Sequence, residues 1–200
     1  YYVRDEIDEA ANFSVVVTDA SGEQVRAFDG PHEPGINEIL WDWRYDRPYD
    51  PPQGDDGTGA GGGGFGGGVP EGPIVMPGTY TVTVSLDGMT SSETVRIEAD
   101  PRRTMTLSDR RARQDALMSL HDLAKPLNDA TEATRRLSGQ LEEAAELLGD
   151  FEGESESLQE ELTAMQSALE EISEGLGEAR RWAGVANAIQ GSSTLPTEDQ

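Results

Sequence analysis

The chain has 200 residues, of which 39 are acidic and 15 are basic, so its formal net charge at pH 7 is −24. A surface this acidic repels nucleic-acid phosphates and anionic membranes, which makes both poor partners. The absence of cysteine excludes disulfides and thiolate-bound metals, and no apolar run approaches the roughly 18 residues that a membrane span needs. The acidic, lysine-poor balance suits either a halophilic source or a GC-rich genome.

The first part of the chain has the alternating pattern of β-strands. Residues 13–18 form a β-branched run with large apolar residues at every second position. Residues 19–22 predict a turn, since Gly22 can take a positive φ, and residues 24–28 predict the partner strand. Together these segments predict a β-hairpin.

The stretch from Gly35 to Tyr45 predicts the central strand around which this part is organised. Ile39, Trp41 and Trp43 occupy alternate positions, so a strand would place them on one face. Large aromatic side chains on a shared face favour a buried role. The predicted structural core therefore consists of Val15, Val17, Ile39, Trp41, Trp43, Tyr80, Val82 and Val84.

Residues 46–77 are dominated by glycine and proline. Glycine loses the most backbone entropy on ordering and has no side chain to bury, so we expect a disordered loop here. A phosphate-binding loop is disfavoured, because no Gly-Lys-Ser/Thr follows the glycines and Asp55 and Asp56 would repel an anion. After this loop, residues 80–86 and 94–97 predict a second hairpin, with its turn at Asp87-Gly88. Short strands without helices predict a β-sandwich.

A seven-residue repeat begins after Leu107 and predicts two helices, at about 108–148 and 156–188. Their short connection predicts an antiparallel α-helical hairpin over about 106–190. The first helix is predicted to bury two sets of residues, the second set three positions after the first. The first set is Leu120, Leu127, Thr134, Leu141 and Leu148, and the second is Leu123, Ala130, Leu137, Ala144 and Phe151. Residues 191–200 are expected to link to a further helix.

Candidate ligand contacts are few. Tyr45, Tyr49 and Phe65, in or beside the glycine-rich segment, could stack on sugar rings, whereas Trp41 and Trp43 are assigned to the core. Several aspartates, Asp42, Asp46, Asp50, Asp55 and Asp56, match no known calcium-loop spacing. The two histidines, His32 and His121, have no partner motif, and no serine elbow or thiol nucleophile is present. We therefore predict no catalytic residue, no metal site and no cofactor.

Three motifs carry a resemblance to a known family. They are Val15-Val-Val-Thr-Asp-Ala-Ser-Gly-Glu-Gln-Val25, Gly35-Ile-Asn-Glu-Ile-Leu-Trp-Asp42 and Pro77-Gly-Thr-Tyr-Thr-Val82. Their order resembles the Ig-like domain of the flagellar hook-capping protein. It is still more similar to the C-terminal region of large secreted bacterial proteins with a sortilin-like or BNR-repeat β-propeller, which are often labelled glycosidases.

This resemblance implies the fold and the context. The expected fold class is α+β in two parts, an all-β Ig-like (fibronectin-III-like) sandwich over residues 1–101 followed by the helical hairpin. The expected role is a non-catalytic accessory module of an extracytoplasmic protein, packing on its propeller or on another protein. Any glycosidase activity would belong to the propeller, whose repeats do not occur here. The alternative is a carbohydrate-binding module that directs a glycosidase to polysaccharide.

Overall fold

The computed structural model describes residues 1–8, 11–50, 71–102, 105–149, 156–183, 185 and 189–190. Its architecture is α+β, with antiparallel sheets followed by two packed helices, which confirms the predicted order of the two parts. The strands are β1 (Tyr2–Val3), β2 (Phe13–Thr18), β3 (Gln24–Phe28), β4 (Gly35–Ile36), β5 (Gly78–Leu86) and β6 (Met89–Ile97), and the helices are α1 (Leu107–Gly149) and α2 (Glu156–Ala183).

The main sheet has four antiparallel strands in the order β3-β2-β5-β6. Val15 lies opposite Val84 and Val17 opposite Val82, so the alternate valines of both inner strands share one face. The turn between β5 and β6 lies at Asp87 and Gly88, which both have positive φ, as the sequence predicts for this dipeptide.

The core of the β part forms on this valine face. Val17, Val25, Val75 and Tyr80 are its buried residues, and partly buried neighbours pack against them. Val25 points inward because the register between β2 and β3 shifts beside Val17 and Thr18, as at a β-bulge. Among the other predicted core residues, Val15 is buried and Ile39, Trp41, Val82 and Val84 are partly exposed.

The predicted central strand over residues 35–45 is wrong. Only its first two residues form a strand, β4, which pairs with β1 in a separate two-stranded sheet. The backbone turns at Trp43, whose φ is +61°, and the indole N–H of Trp41 donates to the carbonyl of Arg44 at 2.9 Å. This turn leaves the Trp43 side chain 48% exposed, so Trp43 is not a core residue.

The two helices form an antiparallel hairpin. The 43-residue α1 spans about 65 Å and the 28-residue α2 about 42 Å. The connection at 150–155 reaches at most about 25 Å when extended, so α2 begins near the end of α1. Gln190, which follows α2, accepts a hydrogen bond from Arg44, and His121 of α1 donates one to the nearby Asp46. The chain after α2 therefore lies near residue 121, far back along α1, so the two packed helices run in opposite directions.

The face of α1 that is buried differs in part from the prediction. Its buried residues are Leu117, Ala124, Leu127 and Thr134, and the partly buried ones continue the same steps of three and four. Leu127 and Thr134 belong to the first predicted set. The second set is wrong, since Leu123 and Leu137 are 46% and 49% exposed. The positions that replace them carry the smaller Ala124, Thr131, Ser138 and Ala145, and small side chains let helices approach closely. Phe151 lies outside the described residues.

Side chains and loops join the hairpin to the β part. His121 on α1 donates its Nε2–H to the carbonyl of Asp46 at 2.9 Å, and Arg44 Nη1 donates to Gln190 Oε1 at 2.8 Å. Within the described residues, neither helix packs on a strand. The segment around Arg44 is therefore the junction of the two parts.

Candidate functional site

The proposed sugar-stacking residues are not brought together among the described residues. Tyr45 packs against the core, its N–H donates to the carbonyl of Pro73, and its carbonyl accepts from Arg26. Burial, followed by the charges of Asp19 and Glu23, raises the pKa of the Tyr45 phenol. Tyr45 is thus a structural residue in this fold.

The other two members of that set add little to a stacking surface. Tyr49 is partly buried, and Phe65 lies among residues 51–70, outside the described part of the chain. An aromatic platform built from Tyr45, Tyr49 and Phe65 stays a prediction.

Trp43 is one of two aromatic residues, with Tyr2, that the described part of the chain presents most openly to solvent. Its ring lies 5.1 Å from that of Trp41, which in turn meets Tyr80 edge-on at 5.5 Å. A bulky residue with positive φ is uncommon, and such backbone outliers concentrate at functional sites. The Trp43 carbonyl accepts the N–H of Val75 at 2.8 Å, which fixes this turn to the segment after the glycine-rich region.

A large apolar cavity of about 1170 Å³ lies beside this tryptophan. One wall is the valine face of the main sheet, and another is the segment that contains Ile39 and Trp41. Ligand sites usually span about 300–1,000 Å³ and are mostly apolar, so the cavity is somewhat larger than a typical ligand site.

The rim of the cavity combines exposed apolar side chains with acidic ones. Tyr2, Leu40, Trp43 and Met89 line it and are 70%, 88%, 48% and 69% exposed. The acidic lining residues are Asp5, Glu6, Asp8, Glu38, Asp87 and Glu93, against one basic residue, Arg4. We refer to this combination of cavity and rim as the cavity surface. Its chemistry is complementary to apolar groups with basic neighbours.

A smaller cavity of about 400 Å³ separates the β part from α1. Trp43 and Ile74 line one side, and Arg110, Arg113 and Gln114 of α1 line the other. Trp43 therefore lies between both cavities, and a ligand on the cavity surface would adjoin the junction with the helices.

The ionisable groups show no catalytic arrangement among the described residues. Asp46, one of the candidate calcium ligands, instead accepts the N–H of Ala27 and pairs with Arg26 at 3.7 Å. The Ser21 hydroxyl, with backbone N–H groups of the same turn, lowers the pKa of Asp19, as expected for a turn carboxylate. In the described ranges no three acidic or histidine side chains could hold a metal ion, and no helix is long and apolar enough to cross a membrane.

Comparison with known proteins identifies no relative. No protein-family model matches the chain, and neither the curated proteins nor the solved structures contain a match. The cavity surface is a site that sequence reasoning missed, because its rim residues are far apart along the chain and alternation had assigned Trp43 to the core.

Proposed function

We propose that the chain is a non-catalytic interaction module that docks on another protein through the cavity surface. The observation that carries this proposal is the exposure of Tyr2, Leu40, Trp43 and Met89 around a single apolar cavity. Exposed apolar patches rimmed by polar residues mark interaction sites, because leaving them in water is unfavourable. The acidic rim adds selectivity for a partner with basic groups around an apolar contact.

The proposed partner is the β-propeller of a parent protein of the kind that the three motifs resemble, or a protein bound to it. In this proposal residues 1–101 are an Ig-like sandwich, and the antiparallel order of the main sheet supports that assignment. The location would then be extracytoplasmic, with any glycosidase activity in the propeller. This context depends on the resemblance, whereas the docking surface depends on the geometry.

A carbohydrate-binding module is the second candidate. The half-exposed ring of Trp43 favours it, since an exposed indole can stack on a sugar ring. The packing of Tyr45 against the core weighs against the form of this hypothesis that uses Tyr45, Tyr49 and Phe65.

A binding titration against the propeller tests the proposal, with a polysaccharide array run in parallel. We expect micromolar or tighter binding to the propeller that Leu40→Glu weakens at least tenfold, because a carboxylate would enter an apolar contact. Leu107→Glu at the start of α1 is the matched control, since Leu107 is 58% exposed but does not line the cavity. Saturable sugar binding that is lost on Trp43→Ala, with no binding to the propeller, would replace the proposal with the second candidate.

A further inference from the structure

The hairpin has a second apolar surface, separate from the cavity surface. On α1, steps of three and four residues connect Leu123, Pro126, Ala130, Ala133, Leu137, Gln140, Ala144 and Leu147. On α2, the same steps connect Leu158, Glu161, Met165, Ala168, Ile172, Gly175 and Ala179. The α1 series contains none of the four buried residues of α1, and the α2 series is exposed except at Ala179, which is partly buried. Each helix therefore carries an additional stripe at the spacing that helix packing uses.

The two stripes lie on the same side of the hairpin. In α1, each of Leu123, Ala130 and Leu137 comes one residue before a member of the buried face, such as Ala124 or Thr131. In α2, Met165 likewise comes one residue before the partly buried Gln166. Each stripe is therefore rotated away from the interhelical contact in the same direction when its own helix is viewed from the N-terminus. Because the helices are antiparallel, these two rotations bring both stripes to the same side of the pair.

The large side chains of this surface are about half exposed or more. Leu123, Leu137 and Leu147 on α1 are 46%, 49% and 69% exposed, and Leu158, Met165 and Ile172 on α2 are 55%, 56% and 52% exposed. These six side chains offer an apolar area on the order of 600 Å², against about 800 Å² per partner in a standard protein interface. We call this surface, made of the two stripes, the hairpin groove.

The borders of the groove indicate what fills it. The residues that directly precede stripe positions are mostly acidic, with two basic exceptions, Lys125 and Arg136. The acidic ones are Asp122, Asp129, Glu132, Glu143 and Glu146 of α1 and Glu160, Glu171, Glu174 and Glu178 of α2. Exposed local pairs, Lys125 with Asp129 and Arg181 with Glu178, offset part of this charge, but exposed pairs are weak. Two copies facing each other would bring acidic borders together, which is unfavourable, so charge argues against self-association.

We infer that the hairpin groove binds one amphipathic α-helix of a partner protein whose apolar stripe is flanked by lysine or arginine. A third helix lying between α1 and α2 would cover both stripes at once and complete a three-helix bundle. Its basic flanks would meet the acidic borders on both sides, which selects it over an acidic or neutral helix.

Two designed peptides test this inference on the whole chain. Both are helical and about 24 residues long, with the same leucine and alanine stripe, but one carries lysine and the other glutamate at the flanking positions. By fluorescence anisotropy we expect the lysine peptide to bind at least tenfold more tightly at low salt, and this difference to shrink with added salt.

Substitutions in the groove must remove the binding. We expect Leu137→Glu on α1 and Ile172→Glu on α2 each to weaken the lysine peptide at least tenfold, while circular dichroism shows unchanged helicity because both positions are exposed. Leu40→Glu, on the cavity surface, is the matched control and should bind the peptide normally. Leu40→Glu also separates this inference from the proposed function, because it alters only the cavity surface, so peptide binding to the groove and docking through the cavity surface can fail independently.

Three outcomes would overturn the inference. The first is no binding of the lysine peptide at roughly 100 µM, and the second is equal affinity for the two peptides. The third is a concentration-dependent dimer, seen by sedimentation equilibrium and abolished by Leu137→Glu, which would assign the groove to a second copy of the chain.

Discussion

The burial of α1 predicts that two leucines four residues apart contribute very differently to stability. Leu127 is 7% exposed and belongs to the buried face of α1, whereas Leu123 is 46% exposed and lies in the hairpin groove. Leu127→Ala removes three buried carbon atoms, which costs about 2.5 kcal/mol in transfer free energy. A residual cavity adds up to about 2 kcal/mol more, depending on how far the helices close around it.

The same substitution at Leu123 should cost much less. About half of its side chain is already in water, and the space it leaves opens to solvent, so we expect a loss of about 1 kcal/mol or less. The two variants share helix, residue type and replacement, which makes each the control for the other. The expected difference in the free energy of unfolding is therefore at least about 1.5 kcal/mol.

Urea denaturation followed by circular dichroism at 222 nm measures this difference, since α1 and α2 dominate the helical signal. The midpoint should fall clearly for Leu127→Ala and little for Leu123→Ala, with similar slopes. An equal loss in both variants, or a greater loss at Leu123, would refute the assignment of the buried face and with it the hairpin groove.

Three further predictions test other parts of the structure. A Cβ at Gly72 would collide with the backbone carbonyls of Tyr45 and Asp46, so Gly72→Ala should lower the free energy of unfolding by about 2 kcal/mol or more. Gly139 lies in open space on α1, so Gly139→Ala should raise the free energy of unfolding by about 0.5–1 kcal/mol in the same denaturation assay. Burial, followed by the charges of Tyr45 and Asp19, raises the pKa of Tyr80 to about 12. Because the folded state holds this proton more tightly, the contribution of Tyr80 to stability is complete below pH 10 and is lost as the pH rises toward 12. Absorbance at 295 nm should show a late tyrosine ionisation that Tyr80→Phe removes. Ionisation of every tyrosine near pH 10 in the folded chain would contradict this prediction. Because the net charge is −24, added NaCl should raise the melting temperature by screening self-repulsion, and a fall would show that local ion pairs matter more.

The sequence was informative wherever a residue pattern is compatible with only one type of local structure. The alternation over residues 13–18 and 80–86 required a strand with one apolar face, and the Asp87-Gly88 dipeptide required a turn with positive φ. The seven-residue repeat after Leu107 required long helices, and their short connection required an antiparallel return. These local constraints were sufficient for the α+β order of the chain.

Alternating apolar residues were misleading where two different backbone structures are compatible with the same pattern. The alternating residues 39–43 could form a strand or an irregular turn, and the turn occurs because Arg44, Tyr45 and Asp46 bond to segments far away, including Pro73 and Val25. Those bonds depend on the packing of the whole β part, which no local window contains. The cavity surface follows from that turn and could not be predicted without it.

The sequence by itself determined the two hairpins of the main sheet, their turns, the two helices and the amphipathic character of each helix, because these follow from backbone geometry and the spacing of apolar residues. Only the tertiary structure decided which apolar stripe of α1 is buried. Two overlapping stripes, one through Leu123 and one through Ala124, continue the same repeat, and α2 can cover only one of them. Packing buried the stripe that carries more leucines, among them Leu117, Leu127 and Leu141, because this contact removes more apolar surface from water, and it left the other stripe exposed.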